Sequence, residues 1–375
     1  MKRLLASVAA GALMGGLAPP ASAETYQATN WMAPVHILNE FTYQKFAEDV
    51  KAATGGDITF EVYSNGSLVP ARTTMQGIRD GVAAVGVVYP GYTPSELPLN
   101  NVVNDLVFVS DDDFASAFAY TELGLTHPKL IAEWKKNGGI FAGGYSTPVY
   151  NFVCVKPITA AGDAKGLKIR TAGGAQTAWV QSLGGVPVSV PIGDVYSGLE
   201  RGSIDCTMSD PTNLDKGNKL WEVAKSVTLL PMGVVVGANY VYNPTFWKEL
   251  EPAQRRALLD NMAVGVARAQ VAYHVGVQAA LEGSKERGLK IIEPAADLKE
   301  KLATFQAGLV EKLPQNAVAE RKVEDPSDLI ATFIELQKKW KGLMEGVDRT
   351  DADAVAKVLR ENLYAGIDEN SFGLK

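Results

Sequence analysis

Short apolar segments alternate with stretches of helical period through the first two thirds of this chain, and that alternation limits the fold more than any other feature. Segments 26–30, 57–63, 83–89, 140–145, 149–155, 166–171, 186–190 and 203–207 read as strands. Between them, 38–54, 73–80, 113–123, 129–137, 175–183 and 194–201 read as helices, several closed by glycines such as Gly55-Gly56 and Gly184-Gly185. Strands that trade places with helices belong to α/β layering, not to a bundle or a β-sandwich.

The last third changes character. Residues 252–287 predict one helix long enough to cross two domains. Residues 297–313 carry Leu298, Leu302, Phe305, Leu309 and Leu313 on one stripe, with Pro314 as the stop. In 326–345, Leu329, Phe333, Leu336, Trp340 and Leu343 are spaced 4-3-4-3. That stripe suits docking on the chain's own core or a homodimer seam. A last helix spans 351–364, with Thr350 and Asp353 as its capping box.

The N-terminus points to export. Lys2 and Arg3 precede an uncharged run from Leu4 to Leu17, and Ala21-Ser22-Ala23 fits a small-residue cleavage pattern. The run is too short to span ~30 Å of hydrocarbon. Residues 1–23 therefore read as a signal peptide, and the periplasm as the destination. A hydrophobic content of 46% is ample for two cores. The formal net charge of −6, with no basic stripe, argues against nucleic acid as a partner. Cys154 and Cys206 are the only cysteines, and the sequence leaves open whether they are bridged or free.

Enzyme signatures are missing. His36, His127 and His274 lie far apart without metal-ligand spacing, and neither a nucleophile elbow nor a P-loop is present. The chemically apt residue is Arg170. It ends the strand Leu167-Lys168-Ile169-Arg170, sharing a face with Lys168. Its planar fork makes paired hydrogen bonds to a carboxylate or sulfonate, and ligands of open α/β domains sit at the carboxyl ends of strands. Gly173-Gly174 places backbone N–H groups at a helix start, which suits an anion. Trp31, Tyr89, Tyr92 and Tyr150 near strand ends supply walls and hydroxyls for a small ligand.

The stretch 164–205, AKGLKIRTAGGAQTAWVQSLGGVPVSVPIGDVYSGLERGSID, resembles the second-domain signature of TRAP (tripartite ATP-independent periplasmic) solute-binding proteins of the DctP type. That signature is a K-G-L-K-x-R strand, a helix, a G-x-x-P-V strand, then G-[DE]-x-Y-x-x-L-x-x-G-x-[IV]-D. The stretches 61–86 and 242–250 are similar to flanking segments of the same family. The resemblance implies a two-lobed periplasmic binding protein fold with hinge strands and a long lobe-spanning helix. Lobe I would be 24–148, completed by about 236–270. Lobe II would be 149–235, completed by parts of 271–325, and 326–375 would be a C-terminal helical extension.

The resemblance also implies function: capture of a small organic acid for a TRAP permease of one small and one large membrane subunit, without catalysis. Arg170 falls on the family's carboxylate-pairing arginine. Tyr150 and Asn151 fall near the hinge strand, Tyr89, Tyr92 and Trp31 on cleft-facing loops, and Ser209 and Asp210 after a second-lobe strand. Tyr150 stands where some members carry a further arginine, which weighs against a classical dicarboxylate. Met208 and Gly233 stand where a metal-dependent subset carries acidic ligands, so no metal or cofactor is expected, with Asp210 the residue able to overturn this. Asp210 facing a cationic group would suit a zwitterion. A sulfonate ligand, an ATP-driven importer or a sensor are alternatives on the same two-lobe plan.

Overall fold

A computed structural model describes residues 24–374, so the signal-peptide reading of 1–23 lies outside the described residues. In chain order the strands are β1 (Glu24–Thr29), β2 (Ile58–Tyr63), β3 (Val85–Val88), β4 (Ile140–Ser146), β5 (Asn151–Cys154), β6 (Lys168–Thr171), β7 (Val186–Ser189), β8 (Cys206–Ser209), β9 (Ser226–Thr228), β10 (Val236–Tyr242) and β11 (Lys290–Ile292). They form two sheets, one ordered β2-β1-β3-β10-β4 and the other β11-β9-β5-β8-β6-β7. Each sheet is mixed. β1 runs parallel to β2 and β3, whereas β10 is antiparallel to β3 and β4. β6 runs parallel to β7 and β8, whereas β5 is antiparallel to β8 and β9. β3 and β10 are buried along their whole length, as expected of strands covered on both faces.

The chain crosses between the sheets from β4 to β5 and returns from β9 to β10. The two crossings are bonded together: Thr147 N donates to Val235 O (2.9 Å), Tyr150 N to Gly233 O (2.8 Å) and Met232 N to Tyr150 O (3.0 Å). Gly233 sits at φ +73° against the Phe108 carbonyl, where a Cβ would collide with backbone. The 35-residue helix Pro252–Glu286 opens with Pro252 at its first position, and Gln254 caps back onto Glu251 N at 2.9 Å. At ~1.5 Å per residue it reaches ~50 Å, enough to lie along both lobes. Leu258, Met262 and Val266 are buried in its first half, and Tyr273 and Ala280 farther on.

Several elements differ from the sequence reading. The helix Ala296–Arg321 runs straight through Pro314. A proline costs roughly 3 kcal/mol in a helix interior. Here Leu313 and Ala317 are buried and Arg321 is paired with Asp105, so anchoring beyond the proline carries the helix on. The last helix is capped by Asp351, which accepts from Asp353 N and Ala354 N, while the Thr350 hydroxyl turns back to Asp348. The strand expected at 203–207 forms at Cys206–Ser209, because Gly202 at φ +69° is followed by a turn. The helix Pro98–Leu106 and strands β9, β10 and β11 were not anticipated. Cys154 and Cys206 face each other across β5 and β8 and are bridged. Among the described residues, no helix is long and apolar enough to cross a membrane.

The 4-3-4-3 stripe is used within the chain. Leu329, Phe333 and Trp340 are fully buried, with the Trp340 ring edge-on to Phe118 of the helix Asp113–Thr126 at 5.3 Å. Trp340 Nε1 donates to Glu122 (2.7 Å) and Arg349 forks onto Asp112 (3.0 and 3.1 Å). Phe333→Ala is expected to lower the unfolding free energy by about 3–5 kcal/mol, read from the denaturant midpoint. The oligomeric state by light scattering should not change. A shift in association with no loss of stability would instead make this stripe a subunit seam.

Candidate functional site

Arg170 lies in β6, flanked by β7 and β8, and is fully buried, at 0% exposure. Its Nε donates to Val190 O (3.0 Å), Nη1 to Met208 O (3.3 Å) and Nη2 to the Tyr92 hydroxyl (3.2 Å). Tyr150 lines the same cavity and is close enough to interact electrostatically with the guanidinium. Every one of these partners is neutral. No carboxylate pairs with Arg170 among the described residues.

The other sheet brings aromatics to meet it. Trp31 follows β1 and is fixed by its Nε1 bond to Val87 O (3.0 Å). Tyr89 and Tyr92 flank the tight turn after β3, ring edge to ring face at 4.8 Å, and Trp31 packs against Tyr92 at 5.2 Å. Their hydroxyls bridge the lobes. Tyr89 donates to Ala172 O (2.8 Å), and Tyr92 accepts from Ile192 N (2.8 Å) as well as from Arg170. Gly91 between them lies against the Ala172 carbonyl, an approach that a Cβ would block. Arg72 adds a bond to Ser189 O (2.9 Å). Asp105, paired with Arg321, accepts from Ala175 N (2.8 Å), so the anion at the Gly173-Gly174 helix start is the protein's own.

These groups enclose a cavity of about 30 Å³. Six of the eight residues singled out from sequence line it: Trp31, Tyr89, Tyr92, Tyr150, Arg170 and Asp210. Asn151 and Ser209 do not. Each is the chain neighbour of a lining residue, and successive residues of an extended chain point to opposite sides. Asn151 turns to Val149 O (3.0 Å) and lines a separate surface cleft with Pro211 and His274. Ser209 is buried, with no partner for its hydroxyl. The cavity also recruits His36, Tyr145, Thr147, Asn213 and Tyr273, none anticipated. Tyr145 and Thr147 end a readable strand, which is a usable signal; Tyr273, mid-helix, carries none.

Burial sets the charges. It raises the phenols of Tyr89, Tyr92 and Tyr150, against a weaker opposing pull from Arg170, so all three stay neutral near pH 7. It pushes His36 down to about 4, and His36 Nδ1 accepts from Leu38 N (3.1 Å). The imidazole is therefore neutral, with its proton on Nε2. Asp210, 1% exposed, is pushed up to about 6 by burial, opposed by hydrogen bonds from Thr212 and Asn213. The cavity thus has one permanent positive group and one titrating negative one. Among the described residues, no group of three His, Cys, Asp or Glu side chains gathers as metal ligands do.

Comparison with known proteins agrees with this architecture. The profile of "Bacterial extracellular solute-binding protein, family 7" (DctP) matches residues 28–315. The ectoine-binding periplasmic protein TeaA of Halomonas elongata is 24% identical over 302 residues, covering 79% of this chain and 83% of that one. The C4-dicarboxylate-binding periplasmic protein of Rhodobacter capsulatus is 26% identical over 251 residues, 65% of this chain and 72% of that one. A solute-binding protein of Albidiferax ferrireducens aligns over only 54% of its own length and 49% of this chain, at 24% identity. Among solved structures, a Bordetella pertussis extracytoplasmic solute receptor binding pyroglutamic acid superposes with a TM-score of 0.71 at 21% identity, over 84% of this chain and all of that one. A TRAP solute-binding protein of Rhodoferax ferrireducens with copurified benzoate gives 0.75 at 20% identity, over 85% and 99%. At these identities the structures speak for the two-lobed fold alone.

The electrostatics make a prediction about Asp210. Its folded pKa of about 6 lies above the ~3.9 of an unfolded aspartate. The cost of ionising it is absent below about pH 4, grows between pH 4 and 6, and is fully present above. Asp210→Asn removes that cost. The stability difference between variant and wild type, from denaturant titrations, should therefore move in favour of Asn by roughly 2–3 kcal/mol from pH 4 to pH 7.5. A pH-independent difference would mean that Asp210 carries no buried charge.

Proposed function

This chain belongs to family 7 of the bacterial extracellular solute-binding proteins, the DctP family, and on that premise we propose that it captures a small organic carboxylate between its lobes in the periplasm and delivers it to the two-subunit membrane permease of a TRAP transporter. The observation that carries this reading is Arg170, a fully buried guanidinium facing the interlobe cavity with only neutral partners. A charge taken out of water without a counter-ion is costly, and a carboxylate on its fork repays that cost with two charge-assisted hydrogen bonds. Pyroglutamate and benzoate, which structural relatives hold, are both carboxylates, in keeping with this choice of ligand class.

The lobes would be 24–148 with about 236–270, and 149–235 with parts of 271–325, closing about the paired crossings near Tyr150 and Gly233. Capture is then a shift of the open–closed equilibrium by contacts made only when both lobes engage the ligand. Arg170 fixes the carboxylate, Trp31 and Tyr89 wall it from water, and Tyr92 and Tyr150 orient it. The role is binding and release, with no chemical step.

Thermal shift against a panel of small carboxylic acids, followed by calorimetric titration of the hits, tests this. A ligand at 100 times its Kd adds about 2.7 kcal/mol of stability. Arg170→Ala is expected to keep the fold and lose about 2–5 kcal/mol of binding, at least 30-fold in Kd. A hit whose affinity is the same in both proteins removes Arg170 from the site.

A further inference from the structure

Arg170 is one of two buried charges on the cavity. The other is Asp210, and it too has no partner of opposite charge among the described residues: its bonds come from Thr212 N (3.0 Å), the Thr212 hydroxyl and Asn213 Nδ2 (2.7 Å). The two charges line the same small space without forming an ion pair with each other. Tyr150 lines the same cavity and feels both, Arg170 lowering its phenol and Asp210 raising it.

The local bonds leave part of Asp210 unused. Thr212 takes Oδ1 twice, which is the ordinary work of a residue capping the turn Pro211–Leu214. Oδ2 receives a single bond, from Asn213, whose own carbonyl oxygen is held by Asn218 Nδ2 (2.6 Å), so the amide is locked with its nitrogen toward Asp210. A carboxylate accepts about four hydrogen bonds, so one position on Oδ2 is unspent. A turn cap needs no burial. A cap sunk to 1% exposure on the cavity that an uncompensated arginine also lines is costly unless something else bonds to it. The neighbouring His36 does not neutralise it, being itself uncharged.

We propose that the ligand is a bipolar small acid: a carboxylate that also bears a hydrogen-bond donor, N–H or O–H, which Asp210 accepts, making Asp210 the residue that selects among acids. This rests on the reading that Arg170 holds the carboxylate. Donor-free acids satisfy one pole and leave the other buried and unmatched, so the site discriminates against them.

Calorimetric titration with matched pairs tests it: pyroglutamate against its ring-oxygen lactone, proline against tetrahydrofuran-2-carboxylate, mandelate against its O-methyl ether, with benzoate as a donor-free acid. The wild-type protein should bind the donor-bearing member of at least one pair about tenfold tighter or better. The pair that responds tells N–H from O–H. Asp210→Asn should bring the two members within about twofold while leaving the donor-free one no weaker. Asp210→Ser keeps a capping oxygen without the charge and serves if the Asn variant does not fold. Arg170→Ala should lose both members of the pair. Equal or reversed wild-type preference, or a preference surviving at both Asp210 variants, overturns the role of Asp210 while the carboxylate reading stands. Full binding by Arg170→Ala overturns the carboxylate reading instead, and no binding by any acid of the panel overturns both.

Discussion

A guanidinium sealed inside a protein needs an acceptor for each N–H it turns inward, and the organisation around Arg170 follows from meeting that need without a carboxylate. The strand carrying it lies between β7 and β8, so the chain just past β7 offers the Val190 carbonyl and β8 offers that of Met208. Both acceptors are backbone carbonyls of the segments that flank β6. Neutral acceptors hold the fork flat and leave its charge uncompensated. An aspartate in their place would have formed an internal ion pair and closed the site to anions.

The same arginine ties the lobes together, because its Nη2 reaches the Tyr92 hydroxyl on the opposite sheet. Around that bond lie others that cross the cleft: Tyr89 to Ala172, Arg72 to Ser189, and Asp105 to the helix start at Ala175. The last is the most buried charge among them. Burial raises the Asp105 carboxyl, while Arg321 on the helix Ala296–Arg321 pulls it back down. Each crossing bond is a polar contact, made or broken with modest net free energy because water replaces it. Apolar contact adds to them: Phe305 packs on Phe108 at 5.6 Å and on Trp179 at 5.3 Å. The paired crossings, the long helix and the helix Ala296–Arg321, whose Gln306 donates to Phe108 O (3.1 Å), all join the two halves.

Much of this was legible, and the failures share a physical pattern. Arg170 was singled out for its chemistry near a strand end, and its role was given only by the family resemblance; in the structure the strand runs one residue further, to Thr171. For the pairs Tyr150–Asn151 and Ser209–Asp210, sequence located the strand ends but not which neighbour lines the cavity, a matter of one residue of phase. His36 and Tyr273 were invisible, because they reach the cavity from a loop and from mid-helix, where only tertiary packing decides direction. Pro314 misled for a related reason. Its local cost is real, but the buried Leu313 and Ala317 and the pairing of Arg321 lie beyond the reach of propensity. The stripe at Leu329, Phe333 and Trp340 left docking on the chain's own core and a homodimer seam both open, and only the structure shows it packed on the helix Asp113–Thr126.

The choice of tyrosine on the cleft has a consequence for capture. A phenol is both donor and acceptor, and burial keeps these phenols neutral. The Tyr92 oxygen accepts from Arg170 and from Ile192 N together, the same two kinds of donor that a ligand oxygen would use. The Tyr92 hydroxyl thus gives the arginine a neutral acceptor. Under the proposed capture, an incoming carboxylate has to outcompete a bond that already exists, and its advantage is the difference between an anionic and a neutral acceptor, not the whole energy of solvating a buried charge. A smaller difference gives a weaker bias toward the closed state, since a ligand shifts such an equilibrium only by its differential affinity. For a protein whose proposed task is to release what it binds, that restraint is an asset, and it comes from the hydroxyl of Tyr92.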